Sequence, residues 1–304
     1  QAQEHACDQR VRRRGKNAQP HLAHGLAGID ADVRQQLVRL PHPAAHARLH
    51  MPAQVGQRHA APGAPEQRTP QADQALSRAT DLVGYGPYVE RVEAPASVVR
   101  HSSDNRVELE RARHALEMAM QGRHVAVVSG GDAGVFGMAS AVFEAVDHGP
   151  QEWRGLEITV VPGVSAVLAA AARLGAPLGG DFCVISLSDN LKPWRVVLER
   201  LRLAAQAGFV IALYNPRSHA RPWQLGAAFE HLRQSMGGDE PVAFARAIGR
   251  PDEAVRLSTI AQANADWADM STLVLIGCPA IRLVSRPNGQ APWLYTARKV
   301  EAAH

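Results

Sequence analysis

The residue pattern of this chain predicts an α/β protein assembled from two small sheet-and-helix domains. Two observations carry that expectation. From residue 62 onward, short apolar runs alternate with helical spacings, the rhythm of strands joined by crossover helices. After a Pro- and Gly-bearing stretch at 177–180 a fresh apolar run opens, so the alternation restarts partway along the chain. With 304 residues, 46% of them hydrophobic and 5% aromatic, the chain can fill two modest cores.

Residues 1–61 do not share this rhythm. They are crowded with His, Gln, Arg, Ala and Pro, and hold seven of the fourteen histidines. Such a composition buries too little apolar surface to offset the entropy of ordering, so disorder is expected, with at best a short helix over 31–40. The run RVRRRGK at 10–16 could touch phosphates. Nine basic and four acidic residues fall within 1–60, which leaves the rest of the chain about neutral despite a net charge of +4. No general footprint for nucleic acid is therefore expected.

The elements follow in order. Thr69 caps a helix over 69–80, with Pro70 in its first position. A short strand at 81–83 runs into GYGPY. A helix over 107–121 is stopped by Gly122 and leads into the strand VAVVS at 125–129. Next come a helix over 136–146, a strand at 158–161, and a turn made by Pro162 and Gly163, where Ser165 can cap a small-residue helix. The second domain opens with the strand FCVISLSD and continues with a helix over 194–207 and a strand at 209–214. A helix over 222–236, a strand at 241–247 and a last strand at 271–276 complete it. The expected domains are thus 62–178 and 181–304.

No apolar run is long enough to span a bilayer and no signal-peptide core opens the sequence, so a cytoplasmic protein is expected. Cys7, Cys183 and Cys278 are far apart and odd in number. They form neither a disulfide framework nor a zinc-ligand spacing, and no metal is expected.

The motifs fall where strands end, which is where ligands gather in parallel sheets. The most telling is SGGDAGVFGM at 129–138. Gly130, Gly131 and Gly134 let a ligand press on the backbone, while Asp132 stands at the loop apex.

That motif, together with DLVGYGPY (81–88), VPGVSA (161–166), SLSDNLKPW (186–194), LYNPRS (213–218) and GRPDE (249–253), resembles the tetrapyrrole methylases. GYGPY, SLSDNLKPW and YNPRS resemble the branch that methylates carbon-17 of a corrin precursor and contracts its ring. A sister methylase of the same family, such as one acting on precorrin-4, and an inactive truncated copy remain open alternatives. The resemblance implies S-adenosyl-L-methionine held in a cleft between two α/β domains. It implies cofactor contacts from Pro62, Gly130, Gly131, Asp132, Val135 and Phe136, then from Ser165 and Ala166. From the second domain it implies Tyr214, Asn215, Ala247, Thr272 and Leu273. Asp132 is the candidate catalytic group, with Tyr214 and His219 as further candidates for proton transfer. A substrate rich in carboxylates would meet cations, for which Lys192, Arg217, Arg221, Arg246 and Arg250 stand in suitable loops. The family also implies a homodimer. The resemblance lapses before residue 62, where only Ala61, Pro62 and Gly63 stand in place of the family's opening strand and G-x-G loop. A shifted reading frame upstream would produce that loss, and a first domain lacking its first strand is expected.

Overall fold

The computed structural model describes residues 48–51 and 67–299. The short helix expected at 31–40, the basic run at 10–16, Cys7 and Pro62 lie outside them.

The first sheet contains β1 (Arg48–Met51), β2 (Asp81–Tyr85), β3 (Val99–Ser103), β4 (His124–Val128) and β5 (Glu157–Val160). It runs in the order β3-β2-β4-β1-β5, and every pairing is parallel. The expectation of a missing first strand is corrected here. Arg48–Met51 fills the place between β4 and β5, pairing Leu49 with Val125 on one side and Ile158 on the other. The four residues RLHM alternate polar and apolar, but a run this short inside a His- and Arg-rich segment gives no sustained periodic signal.

Helices α1 (Pro70–Arg78), α2 (Gly86–Val89), α3 (Glu108–Met120) and α4 (Ala139–His148) accompany this sheet. Thr69 caps α1 as expected, its hydroxyl accepting from the Ala72 N–H. α3 stops where Gly122 turns left-handed at φ 82°. α4 begins three residues later than its sequence pattern suggests. Phe136 sits at φ 53°, a left-handed conformation that no α-helix can pass through, so the helix starts only at Ala139. Ala112, Ala115, Leu116, Val142 and Ala145 pack on Val125 and Val127 beneath them.

The second sheet contains β7 (Phe182–Ser186), β8 (Val210–Tyr214), β9 (Pro241–Arg246), β10 (Ala254–Thr259) and β11 (Thr272–Ile276), in the order β10-β9-β11-β8-β7. It is mixed rather than parallel: only β7 and β8 run together, and β11 opposes both β8 and β9. The connection at 247–253 is too short for a parallel crossover, which takes roughly a dozen residues, so β10 folds back on β9. α6 (Trp194–Gln206) and α7 (Gln224–Arg233) cover one face. There Leu201, Leu213, Leu225, Phe229 and Leu232 are fully buried, each contributing about 1.5–3 kcal/mol.

α5 (Ala166–Leu174) follows β5 but packs on the second sheet, laying Val167, Ala169 and Ala170 against Ala212, Ala245 and Leu273. Its small side chains permit this close approach. A two-residue strand, β6 (Gly175–Ala176), then pairs with β13 (Trp293–Thr296), itself antiparallel to β12 (Ile281–Val284). Both sheets belong to one compact unit, 46–304. Among the described residues no helix is long and apolar enough to cross a membrane. Cys278 is buried and Cys183 half-buried, its thiol pushed up to about 11 by burial.

One buried charge lies at the far end of the first sheet. Asp81 opens β2 and is fully buried, with His101 Nε2 at 2.7 Å, Thr80 Oγ1 at 2.7 Å and Arg123 Nη1 at 3.0 Å. Burial alone would raise its carboxyl, but these partners outweigh it and hold the group below the usual range.

Candidate functional site

The loop 129–138 leaves β4 and is pinned at both ends. Ser129 Oγ accepts from the Met138 N–H at 2.9 Å, closing the loop at the start of α4. Between these anchors Gly131 holds φ 79° and Phe136 φ 53°, so the backbone is shaped against its ordinary preferences. Asn215 and Ala247, on the facing lobe, also hold left-handed backbone, at φ 52° and 53°. Such conformations cost on the order of 1–2 kcal/mol for a residue with a Cβ and cluster at ligand sites.

These segments surround an open cleft with a cavity volume of about 150 Å³. From the first lobe come Gly130, Val135, Phe136 and Ala166; from the second come Tyr214, Asn215, Thr272 and Leu273. Eight expected cofactor contacts therefore meet in one place. Gly131, Asp132, Ser165 and Ala247 stand directly behind this lining without joining it.

Asp132 is such a backing residue. Its Oδ1 accepts from the Gly134 N–H at 2.8 Å and its Oδ2 from the Gly163 N–H at 2.9 Å. Oδ1 thus braces the glycine loop on itself, and Oδ2 ties it to the turn before α5. It does not cap a helix at Phe136, because none starts there.

Ser165 occupies the N-cap position of α5, yet its hydroxyl makes no capping bond. It lies 2.5 Å from the Tyr214 hydroxyl, and that phenol oxygen accepts from the Val167 N–H at 2.9 Å. Tyr214, at the end of β8, thus supplies the acceptor that an N-cap side chain ordinarily gives. Burial raises its phenol above the usual value. Its ring leans on Phe136, with centroids 5.2 Å apart.

The edge of the cleft is set by Asp269. Arg246 Nε donates to it at 2.8 Å, as do the Thr272 hydroxyl and the Ser271 N–H, each at 2.8 Å. Burial would raise the Asp269 carboxyl; these donors more than offset that and hold it low. Because β11 runs antiparallel to β9, its N-terminal Thr272 lies beside the C-terminal end of β9, opposite Arg246. In a parallel sheet it would stand at the wrong end.

Of the five expected substrate cations, Arg250 alone lines the cleft. Arg246 is paired with Asp252 and Asp269, and Arg217 with Asp266. Lys192 donates to the Ser186 carbonyl at 2.8 Å, and burial together with nearby Arg200 lowers its ammonium. Arg221 lies beside the cleft residue Met270, 3.8 Å from its sulfur. His219 is exposed and outside the lining. Tyr88, Ala245, Ile248 and Met270 also line the cleft and were not singled out from sequence. Tyr88 could have been, since it ends the quoted motif GYGPY; the others are ordinary apolar residues. Among the described residues no group of three or more His, Cys, Asp or Glu is arranged to hold a metal ion.

Fold and cleft together are those of a two-lobed α/β protein with an open cleft between its sheets. The sequence profile described as Tetrapyrrole (Corrin/Porphyrin) Methylases matches residues 60–264. The chain belongs to that family and is a methyltransferase. It is 55% identical over 237 residues to the precorrin-3B C(17)-methyltransferase of Sinorhizobium sp, spanning 78% of this chain and 93% of that one. It is 40% identical over 223 residues to the probable cobalt-factor III C(17)-methyltransferase of Salmonella typhimurium, spanning 71% and 89%. The crystal structure of the methyltransferase CobJ matches with a TM-score of 0.75 at 46% identity, covering 84% of this chain and all 100% of that one.

Proposed function

We propose that this protein transfers a methyl group from S-adenosyl-L-methionine to carbon-17 of precorrin-3B, with ring contraction to precorrin-4, in cobalamin biosynthesis. The observation that carries this reading is the 55% identity to a precorrin-3B C(17)-methyltransferase across 93% of that protein's length. The cleft fits the cofactor in kind. Glycine backbone on one side, two aromatic rings and the small apolar Ala166, Ala245 and Leu273 suit an adenosine that needs close approach and few charges.

Bound there, the cofactor supplies a sulfonium methyl group open to in-line displacement by a ring carbon. The protein's part is alignment and exclusion of water. Gly130, Val135 and Ala166 hold one side, while Asn215, Thr272 and Leu273 form the other. Phe136 and Tyr214 close the space between them. Asp132 acts as a positioning residue, fixing the two loops on which those contacts stand. Contraction of the ring also needs proton transfers. Asp132 stays the candidate catalytic group for them, because each of its oxygens accepts a single amide and keeps a lone pair.

The same reading takes the protein as a cytoplasmic homodimer, as the family implies. Calorimetric titration with S-adenosylhomocysteine, followed by mass spectrometry of precorrin-3B incubated with enzyme and cofactor, tests the proposal. A saturable cofactor signal and a singly methylated, ring-contracted product are expected. A product methylated elsewhere on the ring would make this a sister methylase, and no cofactor binding would overturn the reading altogether.

A further inference from the structure

The arginines near the cleft fall into two groups. Arg217 and Arg246 are neutralised by aspartates. Among the described residues, Arg250 and Arg91 are not paired with any carboxylate. Arg250 lines the cleft from the second lobe, and its Nε is shut off from solvent with no hydrogen-bond acceptor. Arg91 belongs to the first lobe, in the turn after α2, where its own N–H donates to the carbonyl of the cleft residue Tyr88 at 3.2 Å. Its Nη1 is likewise shut off and without an acceptor. The two guanidinium groups and the Tyr88 hydroxyl lie within reach of one another's fields, and burial, then the charges of Arg246 and Arg91, hold the Arg250 guanidinium below its usual value. The aspartates nearest Arg250, Asp252 and Asp269, are already engaged by Arg246.

A buried guanidinium N–H with no acceptor is costly, and two such groups, one in the cleft lining and one three residues from the lining residue Tyr88 on the other lobe, call for an anion. We propose that Arg91 and Arg250 form a two-lobed clamp for a carboxylate on the rim of the substrate, with Tyr88 between them. This rests on the methylase reading and adds to it the residues that recognise the acidic side chains. The clamp takes one acid group from both sides, so substrate binding draws the lobes together over the ring. Arg91 lies in YVER, outside every cation considered from sequence, and only the fold brings it to this edge.

The test uses the full-length chain and its Arg91→Gln, Arg91→Lys and Arg250→Gln variants, with Arg202→Gln as a control for lost charge. Arg202 is paired with Glu199 on the surface of α6. Two probes are titrated by fluorescence: an octacarboxylated porphyrin and the same ring with its acids capped as neutral amides. S-Adenosylhomocysteine is titrated in parallel. Arg91→Gln and Arg250→Gln should each weaken the acid porphyrin about tenfold or more, as expected for loss of a charge-assisted contact. Arg91→Lys should recover part of that loss. Arg202→Gln should change nothing, and the neutral porphyrin should not distinguish the variants. Cofactor affinity should stay within about twofold throughout. Acid-porphyrin affinity unchanged in both Gln variants overturns the clamp, as does a native chain that binds cofactor but not the acid porphyrin. Loss of cofactor binding in the same variants marks a structural role and also overturns it. A native chain that fails to bind S-adenosylhomocysteine overturns the methylase reading instead, independently of the porphyrin result.

Discussion

Replacing Tyr214 by Phe removes one oxygen and nothing else, and that oxygen joins the end of β8 to the first turn of α5. It accepts from the Val167 N–H at 2.9 Å and lies 2.5 Å from Ser165 Oγ. Ser165 and Val167 are both buried, at 4% exposure, so water cannot readily stand in. The Ser165 hydroxyl can rotate toward another acceptor, whereas the amide cannot move without unwinding the first turn of α5. An orphaned buried amide costs about 1–3 kcal/mol. The ring's contact with Phe136 is kept, so the further 0.5–1.5 kcal/mol of an aromatic pair stays in place. If the cost falls on the ligand-ready cleft, about 2 kcal/mol weakens S-adenosylhomocysteine roughly thirtyfold. Calorimetry on Tyr214→Phe, Ser165→Ala and the double variant measures it. The two single changes should couple, the double variant losing less than their sum. Turnover at saturating cofactor should keep its pH profile, because the phenol holds structure rather than moving a proton. Strict additivity of the two changes, or a turnover loss with unchanged cofactor affinity, would refute the capping role of Tyr214.

Asp132→Asn should leave either Gly134 or Gly163 without an acceptor, lowering stability by about 1–3 kcal/mol and cofactor affinity with it; denaturant melts paired with calorimetry check that both fall together. Gly131→Ala meets open space, since its new Cβ would lie 3.8 Å from the nearest atom, yet φ 79° makes it strained, so a loss of about 1–2 kcal/mol is expected in urea unfolding. Ala247→Gly should go the other way, gaining up to about 1 kcal/mol in the same assay by relieving its left-handed strain. Asp81 and Asp269 are both held below their usual range, so each contributes stability above the unfolded carboxylate value of about 3.9 that is lost as pH falls through its lower folded value. Thermal melts should therefore hold steady from neutrality to about pH 4 and fall beneath it, with Asp269→Asn flattening the fall.

Much of the fold was legible because its central strands β2, β4 and β8 are buried along most of their length. VAVV and VIALY read as strands without ambiguity, and Thr69–Pro70 marked a helix start to the residue. What stayed hidden had a physical cause in each instance. β10, β12 and β13 are exposed strands whose apolar positions do not alternate strictly. Phe136 reads as a helix residue by type, and only its backbone dihedral excludes it. The cleft residues were legible as a set because they fall in motifs at strand ends. Their division into lining and bracing was not, since Asp132 and Ser165 show their bracing bonds only in the folded chain. Arg91 was invisible because nothing local distinguishes an arginine whose nitrogens lack acceptors from one in open water.

The place of β1 in its sheet bears on how the protein is made. β1 is the earliest strand among the described residues but lies between β4 and β5, so its partners are not its sequence neighbours. During synthesis Arg48 must wait for His124, and then for Glu157, to leave the ribosome before either edge can zip. Until then β2, β3 and β4 can assemble as a partial sheet with one naked parallel edge, an intermediate open to pairing with a neighbouring chain. High contact order at the middle of a sheet makes for slow closure. Yield on expression should therefore depend on temperature and on chaperone supply more steeply than the finished enzyme's own stability would suggest.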